Sequence, residues 1–228
     1  AQQVGSLGSP VAGRTGPVLL ARNDDQRHAR RLVLHGGVID RHALAAGLQP
    51  AGLVGDLDSI TPDGLAWAEQ HATIHRYDPD KDRTDTELAL EVAADLNPRR
   101  LLLIGAGDRL DHALAAIGAL GNPSLTSVPT IDGWWGSQRL QVVHGPGKAS
   151  LDVSTGTTLS LLALHGACGG VTISGVRWPL DGAELAAATA IIRCADARLS
   201  AKGFSTSTCL PASRALMAHS SCRALGSE

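Results

Sequence analysis

Between residues 17 and 121 short apolar runs take turns with longer stretches of helical periodicity, and that alternation admits few architectures. The apolar runs fall at 18–21, 32–34, 53–55, 73–77 and 101–105. Several are continuously apolar, as strands covered on both faces are. Strands separated by helices point to a parallel sheet, because a parallel crossover needs a long connection and a helix supplies it. The helices announce themselves by their caps. Thr61 followed by Pro62 marks a helix start and predicts a helix to about residue 70. Thr84 followed three residues later by Glu87 is a capping-box pattern, and Leu88, Val92 and Leu96 repeat at i, i+4 and i+8 behind it. A third helix is expected from near Asp108, with Leu110, Leu114 and Ile117 as its buried stripe.

Beyond Pro123 the texture changes. Runs at 139–144, 148–153, 158–164 and 170–176 are short, strand-like and separated by glycine, which predicts an antiparallel β unit. From Ala186 the alternation stops and Ala, Ser and Cys dominate. The chain thus divides into a flexible leader (1–16), an α/β unit (17–122), a β unit (123–185) and an atypical terminal segment (186–228).

Bulk properties exclude several classes of function. The 228 residues carry a formal charge of -2, so no basic surplus exists to neutralise nucleic-acid phosphates. The pairs Arg30-Arg31 and Arg99-Arg100 read as solvated surface. No apolar run reaches the roughly 18 residues that suggest a membrane span, and the cytoplasm is the expected compartment. Cys168, Cys194, Cys209 and Cys222 have neither C-x-x-C spacing nor a nearby histidine at zinc-ligand spacing, and read as reduced and incidental.

Three segments carry residues suited to chemistry, each just past a predicted strand, where open α/β sheets bind ligands. The first is Gly55-Asp56-Leu57-Asp58-Ser59. An extended Asp-x-Asp aims both carboxylates the same way, and two carboxylates together call for a cation. Mg²⁺ suits them, being held by one or two carboxylates plus substrate phosphates. A pair of solvated loop aspartates is the plainer reading. The second segment, Asp80-Lys81-Asp82-Arg83-Thr84-Asp85, holds one of only three lysines against seventeen arginines. An ammonium among carboxylates suits a phosphate beside a metal, although a charged helix-entry loop needs no function and Thr84 is fully explained as a cap. The third, Gly105-Ala106-Gly107-Asp108-Arg109-Leu110-Asp111-His112, is a glycine loop whose amides can approach phosphate. It matches neither the P-loop nor the dinucleotide fingerprint.

These segments, in this order, with Val176-Arg177-Trp178-Pro179-Leu180 in the β-rich half, resemble the thiamine pyrophosphokinase family over roughly residues 18 to 185. The resemblance implies a parallel-sheet α/β catalytic domain for nucleotide and metal, followed by an antiparallel β-sandwich domain that binds thiamine, in a homodimer. It implies transfer of pyrophosphate from ATP to thiamine, giving thiamine diphosphate and AMP. Carried over by motif, Asp56, Asp58 and Asp85 hold Mg²⁺. Asp80, Lys81, Thr84, Arg109 and Asp111 line the nucleotide and phosphate path. Gly36 and Gly37 allow close approach of nucleotide, and Trp178 packs on thiamine, whose cationic ring suits an aromatic face. Asp82 is the candidate acceptor of the alcohol proton. Where the family carries Ala-Asp-Gly-Gly, this chain reads Leu34-His35-Gly36-Gly37, without the aspartate. That departure keeps open a family member that binds without turnover. A haloacid-dehalogenase-like phosphatase, with Asp56 as nucleophile and Asp58 as acid, is a further alternative.

Overall fold

The computed structural model describes residues 18–22, 30–35, 49–58, 60–105, 110–195, 203–206 and 215–221 of the 228-residue chain. The expected leader over 1–16, the two glycines Gly36 and Gly37, and Arg109 lie outside the described residues.

Five strands and three helices make up the first half: β1 (Val18–Arg22), β2 (Arg30–His35), β3 (Gln49–Gly55), α1 (Pro62–His71), β4 (Thr73–Arg76), α2 (Asp85–Asp95), β5 (Arg100–Gly105) and α3 (Leu110–Ala119). A 3-10 turn, Pro123–Leu125, leads to β6 (Thr130–Trp135), β7 (Gln138–His144), β8 (Gly147–Ser150), β9 (Thr158–Ala163), β10 (Cys168–Ile173) and β11 (Leu180–Leu185). Three more strands follow: β12 (Ala190–Cys194), β13 (Gly203–Thr206) and β14 (Ala215–Ser221). Among the described residues these strands form a ten-stranded sheet, ordered β12-β9-β14-β7-β6-β5-β1-β2-β3-β4, and a four-stranded sheet, ordered β11-β10-β13-β8.

The chain is therefore mixed α/β, but its first sheet is not wholly parallel. The pairs β2/β3, β3/β4 and β5/β6 are parallel, whereas β1 runs antiparallel to both β2 and β5. Connection length explains the exception. Only residues 23–29 join β1 to β2, too few for a parallel crossover, while β3 reaches β4 through α1 and β5 reaches β6 through α3. The sheet also continues past β6 into the antiparallel strands β7, β14, β9 and β12, so one ladder serves both halves of the chain.

The terminal segment departs furthest from expectation. It contributes β12 to one end of the large sheet, β13 to the middle of the small one, and β14 to the interior between β7 and β9. Loss of alternation did not mean loss of strands. A strand paired on both sides draws its stability from two ladders of backbone hydrogen bonds, which require no alternation of side chains.

Neighbouring residues of β3 serve opposite faces. Leu53 joins Leu57 and Ala68 under α1, while Val54 joins Leu88, Leu90 and Ala93 of α2, so helices cover this strand on both sides. The α2 cluster extends to Leu101, Leu103, Leu120, Leu125 and Ile131, all 0–1% exposed. Each such leucine contributes on the order of 1.5–3 kcal/mol by leaving water. A second core, Leu159, Leu161, Cys168, Val171 and Leu185, is drawn from strands of both sheets, with Cys168 fully buried.

Helix α3 corrects the expected stripe. Leu110 and Leu114 are 69% and 60% exposed, and it is Ala116 and Ala119 that are buried. Small residues let the helix lie close to the sheet; Ile117 packs against the core as expected, while the two leucines stay exposed. Two histidines fasten its far end: His144 Nε2 donates to the Leu120 carbonyl at 3.2 Å and His165 Nε2 to that of Gly118 at 2.6 Å. The Leu120 carbonyl is among those a helix C-terminus leaves open, and that of Gly118 also accepts from the Gly121 N–H at 3.1 Å.

Candidate active site

Parallel pairing brings the first two motifs to one edge. Gly55, the last residue of β3, lies opposite Arg76, the last residue of β4, so residues 56–58 and 77–84 emerge side by side. The Tyr77 N–H donates to the Gly55 carbonyl at 3.0 Å and ties the second loop to the first. Because β1 is antiparallel to both its neighbours, β5 runs in the same direction as β3 and its carboxyl end opens on the same edge. Three strand spacings separate β3 from β5, roughly 14 Å, a span for an extended ligand rather than for one ion.

The Asp-Leu-Asp segment is not extended. Leu57 adopts a φ of 66° and buries its side chain under α1, and the Asp58 N–H turns back to donate to Asp56 Oδ1 at 3.2 Å. The buried leucine thus forces a tight turn, and the period-two argument for parallel carboxylates does not apply. Asp56 is half-buried and Asp58 is exposed.

Lys81 lies between two of the candidate carboxylates. Its Nζ is 3.4 Å from Asp56 Oδ2 and 3.1 Å from Asp85 Oδ1, with all three side chains 16–20% exposed. Burial disfavours the ammonium, but the hydrogen bond and charge of Asp85, then those of Asp56, outweigh it and raise the Lys81 pKa. The Asp58 backbone N–H holds the Asp56 carboxyl below its ordinary value; burial opposes this and the Lys81 charge assists it. At neutral pH Asp56 and Lys81 are charged.

Asp85 is placed from two sides. It is the first residue of α2, whose N-cap is Thr84. The Glu87 N–H donates to Thr84 Oγ1 at 3.3 Å, while the Thr84 N–H and hydroxyl both donate to Glu87 Oε2 at 2.8 Å. Across the loop, a Cβ on Gly55 would lie 2.9 Å from the Asp85 carboxyl carbon, so the carboxylate occupies the space that glycine leaves free. Sequence reasoning used Gly55 only as the end of a strand. Its φ of +138° next to an aspartate motif was the physical signal, and that conformation is hidden until the chain is folded. Replacing Thr84 by alanine is expected to cost about 1 kcal/mol of stability, lowering the melting midpoint by about 3 °C, while serine retains the cap. A thermal melt of both variants checks it.

The remaining candidates are more scattered. Asp80 and Asp82 are exposed in the loop before α2, and the Asp80 backbone N–H donates to Asp78 Oδ1 at 2.9 Å. Asp111 is exposed in the first turn of α3. Trp178 belongs to the connection between β10 and β11, in the other sheet, and is 57% exposed with the Arg177 guanidinium 5.0 Å from its ring centre.

An all-oxygen donor set with two carboxylates already converging on one positive charge suits a hard cation such as Mg²⁺. Among the described residues no three His, Cys, Asp or Glu side chains come together at metal-holding spacing. The pair Asp56 and Asp85 fits an ion that takes its other ligands from phosphate and water.

The fold and this edge define a mixed α/β protein with a carboxylate–lysine centre at the carboxyl ends of its parallel strands. Residues 26–131 match the family model described as thiamin pyrophosphokinase, catalytic domain. A thiamine pyrophosphokinase of Bacillus subtilis is 29% identical over 147 residues, covering 62% of this chain and 67% of that protein. Two solved structures share the fold. A thiamin pyrophosphokinase family protein from Enterococcus faecalis gives a TM-score of 0.64 at 20% identity, covering 84% of this chain and 98% of its own. The thiamin pyrophosphokinase from Geobacillus thermodenitrificans gives 0.63 at 21% identity, covering 85% and 97%. Over residues 26–131 the chain is therefore similar to the catalytic domain of thiamin pyrophosphokinases, and its fold is theirs.

Proposed function

We propose that this chain is a thiamine pyrophosphokinase that transfers pyrophosphate from ATP to thiamine with Mg²⁺. The observation that carries this reading is the convergence of Asp56 and Asp85 on the Lys81 ammonium at the strand edge, within the stretch matched by the family's catalytic domain. Asp56 and Asp85, with Asp58 beside them, would hold the Mg²⁺, which when bound neutralises charge on the ATP phosphates. Lys81 leaves its carboxylates in part to contact a phosphate oxygen, as a compact ammonium on a flexible stem can. Gly36, Gly37, Asp80, Arg109 and Asp111 line the nucleotide path, and Thr84 supports it as the cap that sets Asp85.

In the reaction the thiamine hydroxyl oxygen bonds to the β-phosphorus of ATP as the bond from that phosphorus to the α–β bridging oxygen breaks. AMP departs with the bridging oxygen, and the hydroxyl proton passes to Asp82. Such a transfer asks chiefly for positioning and charge neutralisation, which a carboxylate-held cation and a lysine supply. Trp178 offers an exposed aromatic face, already bearing the Arg177 cation, to the cationic ring of thiamine.

The same reading assigns 17–122 to nucleotide and metal, 123–185 to a β-sandwich for thiamine with 186–228 appended, and the whole to a cytoplasmic homodimer. Exposed Leu110 and Leu114 on α3 favour burial against a second copy. Among the described residues no helix is long and apolar enough to cross a membrane. A second reading, binding without turnover, rests on His35 at the family's aspartate position.

Incubation with ATP, Mg²⁺ and thiamine is expected to yield AMP and thiamine diphosphate in equal amounts, with no AMP when thiamine is omitted. Thiamine binding without AMP would support the second reading. Phosphate release from simple phosphoesters would instead identify a phosphatase.

A further inference from the structure

A second polar site lies on one face of the sheet. Strands β5, β6 and β7 turn Leu101, Leu103, Ile131, Leu140 and Val142 to the helices. Alternation then sends Arg100, Asp132, Arg139 and Gln141 to the other face, where Asp132 lies directly opposite Gln141. Arg100 begins β5, at the strand end remote from Gly105, and Asp132 and Gln141 lie level with Leu102 at mid-strand, while Arg139, level with Ile104, reaches back to Asp132. A cleft of about 590 Å³ opens here, lined among others by these four residues, His144 and Lys148. That volume suits a small metabolite.

The lining shows what such a molecule must carry. The Asp132 side chain is 2% exposed, and its Oδ2 accepts from Arg100 Nε at 2.7 Å, with a second Arg100 nitrogen at 2.6 Å. Its Oδ1, 3.6 Å from an Arg139 nitrogen, accepts no hydrogen bond, and neither does Oε1 of Gln141, a residue only 8% exposed. His144 shares the helix-side face with Leu140 and Val142, and there its Nε2 donates to the Leu120 carbonyl. Buried acceptors without donors are rare because each costs stability, and two side by side lining one cleft point to a donor-bearing ligand. Arg100, Arg139 and Lys148 set three positive charges against the single Asp132 carboxylate, so the ligand is also anionic.

We propose that this cleft binds a small phosphorylated polyol, its phosphate held by Arg139 and Lys148 and its hydroxyls donating to Asp132 and Gln141. The site is separate from the one that handles ATP and stands whether or not AMP formation is observed.

The test is calorimetric titration of the full chain with ribose 5-phosphate, ribose and inorganic phosphate. Ribose 5-phosphate is expected to bind saturably and about tenfold more tightly than inorganic phosphate, with ribose not binding. The double variant Arg139→Gln, Lys148→Ala is expected to bind it at least about tenfold more weakly, with AMP formation unchanged. Lys148→Ala alone, at an exposed position, gives the same direction of change should the double variant fold poorly. Absence of saturable binding at millimolar ribose 5-phosphate, equal binding of inorganic phosphate, or indifference to both variants would overturn the proposal.

Discussion

Replacing Asp56 by asparagine is expected to lower AMP formation from ATP and thiamine by roughly a thousandfold, or about 4 kcal/mol of transition-state stabilisation. The side chain stands at the meeting of the two loops: Oδ1 accepts from the Asp58 N–H and Oδ2 faces Lys81. Asparagine keeps an oxygen for the first contact and loses the charge required by the second and by any cation. The fold is expected to survive, because Lys81 retains Asp85 and an ion pair of this exposure contributes only about 1 kcal/mol. The measurement is steady-state AMP formation across a Mg²⁺ titration, with a thermal melt beside it. Turnover within a factor of a few of the unaltered chain would remove Asp56 from the centre, whereas a large fall in melting midpoint would reassign it to stability.

Gly55→Ala is expected to do both kinds of damage. Its φ of +138° is one that side-chain-bearing residues rarely adopt, and an added methyl carbon would lie 2.9 Å from the Asp85 carboxyl group. Relief comes only by turning the backbone, which strains the end of β3, or by displacing the carboxylate. The first route costs about 2 kcal/mol, seen as a fall of about 6 °C in melting midpoint. The second misplaces a group in the candidate centre and is expected to reduce turnover roughly a hundredfold. Measured together, the two quantities apportion the effect. Unchanged turnover with a lowered midpoint would show that the chain yields at the backbone and that Asp85 tolerates the shift.

Much of this architecture was legible because local signals were strong. Thr61-Pro62 and the Thr84/Glu87 box mark the starts of α1 and α2, since a cap is a contact between residues three apart and depends little on the rest of the fold. The strand runs at 53–55 and 101–105 were equally clear, being continuously apolar. Signals failed where the partner was distant. Leu110 and Leu114 have helical spacing suited to a core, yet the sheet beneath α3 accepts alanines and leaves both leucines outside. Arg100 is exposed, as expected, but nothing in the sequence signalled that it holds a buried carboxylate thirty-two residues away. The terminal segment showed no strand alternation, yet its last strand is paired on both sides within the large sheet.

The carboxylate motifs divide in the same way. The sequence by itself determined that Asp56, Asp58, Lys81 and Asp85 stand just after strands, in an order shared with the thiamin pyrophosphokinase family. Residue types and local spacing are enough for that. Only the tertiary structure decided that Asp56, Lys81 and Asp85 meet while Asp58 stays exposed beside them. That outcome depends on the parallel register of β3 and β4, on the burial of Leu57 beneath α1, and on the room beside Gly55. Each is a relation between segments far apart in the chain, settled by packing that no local pattern encodes.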